Sequence, residues 1–283
     1  MPTIHELIRE GYKRLHAAGV PDERRMAALL LAEILGRDRT YLIAHNQDEV
    51  AAEIVSLYRK AIERRASGEP LQYITGYQEF YGRDFLVTPA VLIPRPETEL
   101  IIETTLRLAR NSAAPRILDI CTGSGCIAVT LAAELPQSRV FALDISFEAL
   151  MVARLNAERN DVKEWVNFFA SDLCTALSNN LKFDFCVANP PYVAPEERET
   201  LAREVREHEP ELALFAPEKG LGIIKRILAE SAPVTRSGGY LLCEIGYGQE
   251  KDALAMVDAR LWEPQETIKD LQGIPRTLVL KKR

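Results

Sequence analysis

The sequence predicts an α/β chain in which a parallel sheet, covered by helices on both faces, follows a small all-helical bundle. Three observations carry this prediction. Residues 1–66 place their apolar side chains at helical spacing. Beyond Pro115, short apolar runs alternate with helical stretches. Glycines fall directly after the first of those runs, where a strand gives way to a helix.

In chain order, Leu7, Ile8, Tyr12 and Leu15 mark a first helix. Pro21 opens a second, carrying Met26, Leu29, Leu30, Ile34 and Leu35 and ending at Gly36; Thr40–Ala44 starts a short third. Val50, Ile54, Leu57, Tyr58 and Ile62 form the stripe of a fourth over 49–66, read as core packing of a bundle. Ser67-Gly68-Glu69-Pro70 breaks the pattern. From Leu71 to Ile93 the chain is rich in Tyr, Phe, Val and Thr, punctuated by Gly76, Gly82 and Pro89, which predicts a hairpin or short strands. A helix follows over 97–110. Strands are expected at 116–120, 140–143, 166–170, 183–188 and 239–244, with helices at 125–135, 147–159, 219–232 and 249–260. Two closing strands, 265–270 and 276–281 around Gly273, put one antiparallel strand into the parallel sheet.

Composition bounds the function. The 283 residues, 47% hydrophobic and 27% charged, describe a globular chain with one large domain or two unequal ones. No apolar run approaches the roughly 18 residues of a membrane span, and the N-terminus lacks a secretory pattern, so the expected location is cytoplasmic. The five cysteines include no Cys-x-x-Cys pair, and none of the four histidines lies near one in sequence. Buried, reduced thiols are expected, with no metal site. The net charge of −6 falls entirely after residue 75; residues 1–75 carry 11 basic and 11 acidic side chains. That balance argues against a free DNA or RNA substrate, which needs clustered Lys and Arg.

Three features lie at predicted strand ends, where open α/β sheets bind ligands. Asp119-Ile120-Cys121-Thr122-Gly123-Ser124-Gly125 is a glycine turn that lets backbone approach a ligand, though without the full dinucleotide fingerprint. Asp144 ends the next strand, where a carboxylate can accept both hydroxyls of a ribose; it also stands as a helix N-terminal acid beside the expected cap Ser146. Asn189-Pro190-Pro191-Tyr192 follows the strand Phe183–Ala188. Its prolines donate no hydrogen bond, so the loop offers directed acceptor oxygens and a planar aromatic face, suited to a planar –NH2 group.

Together these motifs resemble the class I S-adenosylmethionine-dependent methyltransferases. Within them the chain is similar to the PrmC (HemK) family, which methylates the glutamine N5 of class 1 peptide-chain release factors. The resemblance includes Gly68–Tyr73, Glu79–Gly82, Val91–Glu99, the glycine turn, Asn189–Tyr192, His208–Pro210, Gly220-Leu221 and Gly238–Leu242. Asn-Pro-Pro-Tyr alone is shared with adenine-N6 methyltransferases. The segment Ile93–Thr98 and the helical N-terminal region make the narrower match.

The resemblance implies a Rossmann-like seven-stranded methyltransferase domain over 96–283, a helical bundle over 1–70 that docks the substrate, and a β-hairpin linker over 71–95. It implies S-adenosylmethionine as donor, S-adenosylhomocysteine as product, and no metal. Cys121, Thr122, Gly123, Ser124 and Gly125 would pass under the methionine part and Asp144 would hold the ribose. Asp172 and Leu173 would flank the adenine. Asn189, Pro190, Pro191 and Tyr192 would hold the substrate glutamine, with Asn189 also near the donor; Asn189, Pro190 and Tyr192 carry the catalytic role. The family commonly has Gly where this chain has Cys121, which therefore needs a negative φ or room for its side chain. The partner implied is a release factor, with neither nucleic acid nor membrane. The competing readings are a glutamine methyltransferase of a ribosomal protein, an adenine-N6 nucleic-acid methyltransferase, and a binding module with an inactive pocket.

Overall fold

The computed structural model describes residues 1–178 and 180–283. The chain divides into two compact units: Met1–Gly76 with Ala202–His208, and Tyr77–Leu201 with Glu209–Arg283.

The first unit is helical: α1 (Ile4–Ala17), α2 (Glu23–Leu35), α3 (Arg39–Ala44), α4 (Ala52–Ala66) and α5 (Leu71–Thr75). A capping box starts α1: the Glu6 N–H donates to Thr3 Oγ1 at 3.2 Å, and the Thr3 N–H donates to Glu6 Oε2 at 2.9 Å. Leu7, Leu15, Leu30, Leu31, Tyr58 and Ile62 make its core. On α4 the inward stripe is Val55, Tyr58 and Ile62, while Leu57 is exposed. At about 100° per residue, Leu57 falls outside the arc spanned by Ala61, Tyr58, Ile62 and Ala66, and so faces away from the core. Gly11 permits the close approach of α1 and α4, because a Cβ there would lie 2.1 Å from Tyr58 Oη.

Two expectations about organisation change. Leu71–Thr75 is a helical turn that starts after Pro70 and stops at Gly76, whose φ is 88°, so the hairpin is confined to 77–86 instead of filling 71–95. Ala202–His208, expected with the methyltransferase region, belongs to the helical unit. There Glu204 pairs with the buried Arg65 at 2.8 Å, and Arg203 Nη2 donates to the Ser67 carbonyl at 3.1 Å.

The second unit opens with the antiparallel hairpin β1 (Tyr77–Phe80) and β2 (Arg83–Leu86), then α6 (Glu99–Ala109). The alternating series follows: β3 (Arg116–Ile120), α7 (Cys126–Glu134), β4 (Arg139–Asp144), α8 (Phe147–Arg159), β5 (Val166–Ala170) and β6 (Phe183–Ala188). The helix α9 (Arg203–His208) is the part belonging to the first unit. The second unit resumes with α10 (Glu211–Leu214), α11 (Gly222–Glu230), β7 (Thr235–Glu244), α12 (Glu250–Ala255), β8 (Trp262–Lys269) and β9 (Pro275–Lys282). The seven-stranded sheet has the order β5-β4-β3-β6-β7-β9-β8, with β9 alone running against its neighbours.

Period-two alternation splits the apolar side chains between two cores. Ile117, Val140 and Val187 face one core, with α6 and α7. Leu118, Ile120, Cys186 and Ala188 face the other, with α11 and Trp262. The chain runs outward from β3 to β5 and then returns to β6 on the other side of β3. This reversal opens a crevice at the carboxyl ends of β3 and β6, where all three sequence motifs sit.

Candidate active site

The crevice holds a cleft of about 280 Å³. Of the expected site residues, Cys121, Thr122, Gly123, Ser124, Asp144, Asp172, Leu173, Asn189 and Pro191 line it. Gly125, Pro190 and Tyr192 are not among the lining residues. Gly125 has a packing reason instead: at φ 80° its missing Cβ would stand 3.0 Å from Ala153 Cβ on α8. Pro190 is buried, and Tyr192 directs its hydroxyl to a buried acid.

The glycine turn is pinned from three sides. Asp119, fully buried, accepts the Thr122 hydroxyl at 2.6 Å and the Ala128 N–H at 3.1 Å through Oδ2. Its Oδ1 is buried without a hydrogen-bond partner among the described residues. Burial pushes the Asp119 carboxyl up to about 7 against those two hydrogen bonds. Asn156, fully buried on α8, donates to the Ser124 carbonyl at 2.8 Å and exchanges hydrogen bonds with the Leu86 backbone, tying hairpin to turn. Gly123, at φ 54° with open space where a Cβ would be, donates its N–H to Asp144 Oδ2 at 2.8 Å.

Cys121 has φ 63°, in the left-handed region, so of the two conditions, a negative φ or room for the side chain, only the second can hold. Room allows it: the thiol packs partly buried against the core beneath the turn. Burial first, then the nearby Asp144 and Asp119, raises its pKa well above the usual thiol range, so it is an inert thiol.

Asp144 also accepts the Ser146 N–H at 2.9 Å through Oδ1, while the Ser146 hydroxyl caps α8 by accepting the Ala149 N–H at 3.1 Å. Ser146 is thus the cap of α8, and Asp144 is held by backbone beside the cleft. Burial raises the Asp144 pKa, and the backbone hydrogen bonds oppose the rise. Leu173, at φ 48°, follows Asp172, whose carboxylate pairs with Arg226 at 2.9 Å on the rim.

The Asn189 loop is anchored through Thr98, Arg95 and Glu209, which lie in the family-like segments Ile93–Thr98 and His208–Pro210, and through Glu244 and Gln249, which lie outside every sequence motif. Asn189 Nδ2 donates to Thr98 Oγ1 at 2.9 Å, and Thr98 Oγ1 donates to Glu244 Oε2 at 2.7 Å. Tyr192 Oη donates to Glu244 Oε1 at 3.2 Å. Glu244 ends β7 fully buried, which pushes its carboxyl up to about 7. Gln249 braces the loop by donating to the Tyr192 carbonyl at 2.9 Å while accepting the Gly246 N–H at 2.8 Å. Arg95 pairs with the buried Glu209, which also accepts the Ile93 N–H at 3.3 Å, so the segment before Thr98 is fixed as well. Glu244, outside the sequence motifs, had a legible signal: like Asp119 and Asp144, it is an acid at the carboxyl end of an apolar strand.

Among the described residues, no group of three or more His, Cys, Asp or Glu side chains could hold a metal ion, and no helix is long and apolar enough to cross a membrane.

Comparison with known proteins identifies the lineage. Residues 6–76 match the PrmC N-terminal domain family and residues 97–211 the methyltransferase small domain family. A release factor glutamine methyltransferase of Koribacter versatilis is 45% identical over 280 residues, 99% of each chain. The chain belongs to the release factor glutamine methyltransferase family. Another member, from Nitratidesulfovibrio vulgaris, is 40% identical over 282 residues, 99% of this chain and 95% of the relative. A methyltransferase structure from Pyrococcus furiosus superposes with a TM-score of 0.52 at 19% identity, over 80% of this chain and 95% of that one, which shows the Rossmann-like methyltransferase fold. The chain is thus an enzyme of the methyltransferase class.

Proposed function

We propose that this enzyme transfers a methyl group from S-adenosylmethionine to the N5 amide nitrogen of the glutamine in the Gly-Gly-Gln motif of class 1 peptide-chain release factors. The observation that carries this reading is the 45% identity to a release factor glutamine methyltransferase across 99% of both chains. The site residues fit the donor. Open space over Gly123 leaves room for a ligand against the backbone, and Asp144 is held beside the cleft by two backbone N–H groups. Asp119, buried behind the turn, holds the Thr122 hydroxyl and the Ala128 N–H and so keeps the turn in shape for the donor.

S-adenosylmethionine supplies an already activated methyl group. An amide nitrogen is a poor nucleophile because its lone pair is delocalised into the carbonyl. The protein's task is therefore alignment of nitrogen with methyl carbon and sulfur. The Asn189 side-chain oxygen and the Pro190 carbonyl accept the two amide hydrogens, orient the nitrogen and stabilise the positive charge developing on it. Pro191 and the Tyr192 ring complete the planar slot. Thr122, Ser124 and Cys121 hold the methionine part, Asp144 the ribose, Asp172 and Leu173 the adenine. No strong general base is needed, because an N-methylated amide carrying an extra proton is acidic and releases it to water. The helical unit, without a catalytic motif, serves to dock the release factor, and the enzyme works in the cytoplasm on a protein and not on free DNA or RNA.

The test is incubation with radiolabelled S-adenosylmethionine and separate pools of release factors, ribosomal proteins and DNA. Label should enter release factors. Label confined to ribosomal proteins or DNA would replace this reading with the corresponding alternative.

A further inference from the structure

We propose that Thr98 and Glu244 are positioning residues: a directed hydrogen-bond relay ending on the buried Glu244 carboxylate fixes which half of the Asn189 amide is presented to the substrate. This inference rests on the methyl transfer proposed above.

The direction follows from counting protons. Thr98 has one hydroxyl proton, and Glu244, ionised above about pH 7, has none. The 2.7 Å contact between Thr98 and Glu244 therefore uses the Thr98 proton. Towards Asn189, 2.9 Å away, Thr98 Oγ1 can then only accept, and only Nδ2 of Asn189 can donate. A flipped Asn189 would set its oxygen against the Thr98 oxygen, two acceptors with no proton between them. Thr98 is 1% exposed, so no bulk solvent relieves that repulsion. Asn189 Oδ1 is thereby left as the half free to accept a substrate N–H. Tyr192 donates to the second Glu244 oxygen at 3.2 Å, so both oxygens are occupied by donors and the substrate loop is held at two points by one acid.

The same relay responds to charge. As the substrate nitrogen becomes positive, Asn189 Oδ1 is polarised, its Nδ2–H donates more strongly to Thr98, and Thr98 to Glu244. The groups acting on Glu244 are Thr98, Tyr192 and Arg276, which favour its ionised form, and Glu97, which disfavours it; Cys126 and Cys243 adjoin it as neutral thiols.

The experiment compares wild type with Thr98→Val, which keeps the shape and removes the acceptor, and Thr98→Ser, which restores it. The ¹⁵N-labelled Asn189 side-chain NH2 signal is assigned by its loss in Asn189→Ala. Thr98→Val should move that signal and lower kcat on a release factor roughly 10- to 100-fold. Affinity for S-adenosylhomocysteine should stay within about threefold, because Asp144 and the glycine turn are untouched. Thr98→Ser should restore both signal and kcat. In Glu244→Gln the Asn189 signal should change less as pH crosses about 7 than in the wild type, where burial raises the Glu244 carboxyl to about that value. An Asn189 signal unmoved by Thr98→Val, or as pH-dependent in Glu244→Gln as in the wild type, overturns the relay, whatever the substrate proves to be. A moved signal with unchanged kcat overturns its positioning role. If the wild type methylates no release factor, the functional reading fails, while the Asn189 signal still decides the relay.

Discussion

Replacing Asp144 tests the donor site most sharply, because its carboxylate is already fixed from below. Gly123 N–H occupies Oδ2 at 2.8 Å and Ser146 N–H occupies Oδ1 at 2.9 Å. Each oxygen keeps further acceptor capacity for one ribose hydroxyl. A carboxylate that exchanges water for two hydroxyl donors contributes about 1.5–3 kcal/mol net, so Asp144→Ala should weaken S-adenosylhomocysteine binding roughly 10- to 150-fold. Asp144→Asn should lose nearly as much despite its matched shape. Its Nδ2 must face either the Gly123 or the Ser146 N–H, donor against donor. Isothermal titration calorimetry gives both numbers. The pH dependence adds a sign: burial raises the Asp144 pKa, so the proton that cancels the acceptor charge arrives earlier on acidification than at an exposed aspartate. Wild-type affinity should fall as pH is lowered towards that range, and Asp144→Ala should be flat. Unchanged affinity in Asp144→Ala, or wild-type affinity in Asp144→Asn, refutes the ribose contact and leaves Asp144 an anchor of the turn and helix terminus.

Asn189→Ala should cut turnover by roughly 100-fold or more while weakening donor binding less, read by separate kinetic and calorimetric titrations. The folded chain keeps the Asp119 proton up to about pH 7, whereas the unfolded chain releases it near 3.8, so this group makes stability fall as pH rises between those values. Asp119→Asn should flatten that slope in urea titrations from pH 5 to 8. Cys121→Gly should melt close to wild type, since relief of about 1–2 kcal/mol of left-handed strain offsets the lost burial and the added chain entropy; the β-branched Cys121→Val should melt clearly lower. Gly11→Ala should destabilise the helical unit by about 1–3 kcal/mol in denaturant titration, because the new Cβ would overlap Tyr58 Oη.

Much of the fold was legible because its signals are local. The short apolar runs in Arg116–Ile120 and Arg139–Asp144 and the glycine turn between them place strand, turn and helix without tertiary information. The reversed last strand followed from a β-β ending with no helix between. Signals failed where composition hid the local punctuation and where a contact distant in sequence decides. Leu71–Thr75 reads as β-rich by composition, yet Pro70 and Gly76 bound a single helical turn. Ala202–His208 joins the helical unit through Arg65 and Ser67, which no spacing rule links to it. The site divides the same way. Asp144 and Asn189 end strands and were legible; Thr98 and Glu244 reach Asn189 only through the fold, 91 and 146 residues apart in successive links. The left-handed Cys121 shows a limit of residue preference, since the turn's geometry overrides a cost of about 1–2 kcal/mol.

The central claim is that the methyl group arrives on one amide nitrogen of one protein loop. Tandem mass spectrometry of an intact class 1 release factor, after reaction with the enzyme and S-adenosylmethionine, reads that atom most directly. The account predicts a single added methyl on the side chain of the Gly-Gly-Gln glutamine, absent when Asn189 is replaced by alanine. A methyl on another residue, or an unmodified release factor beside methylated ribosomal protein or nucleic acid, would contradict it.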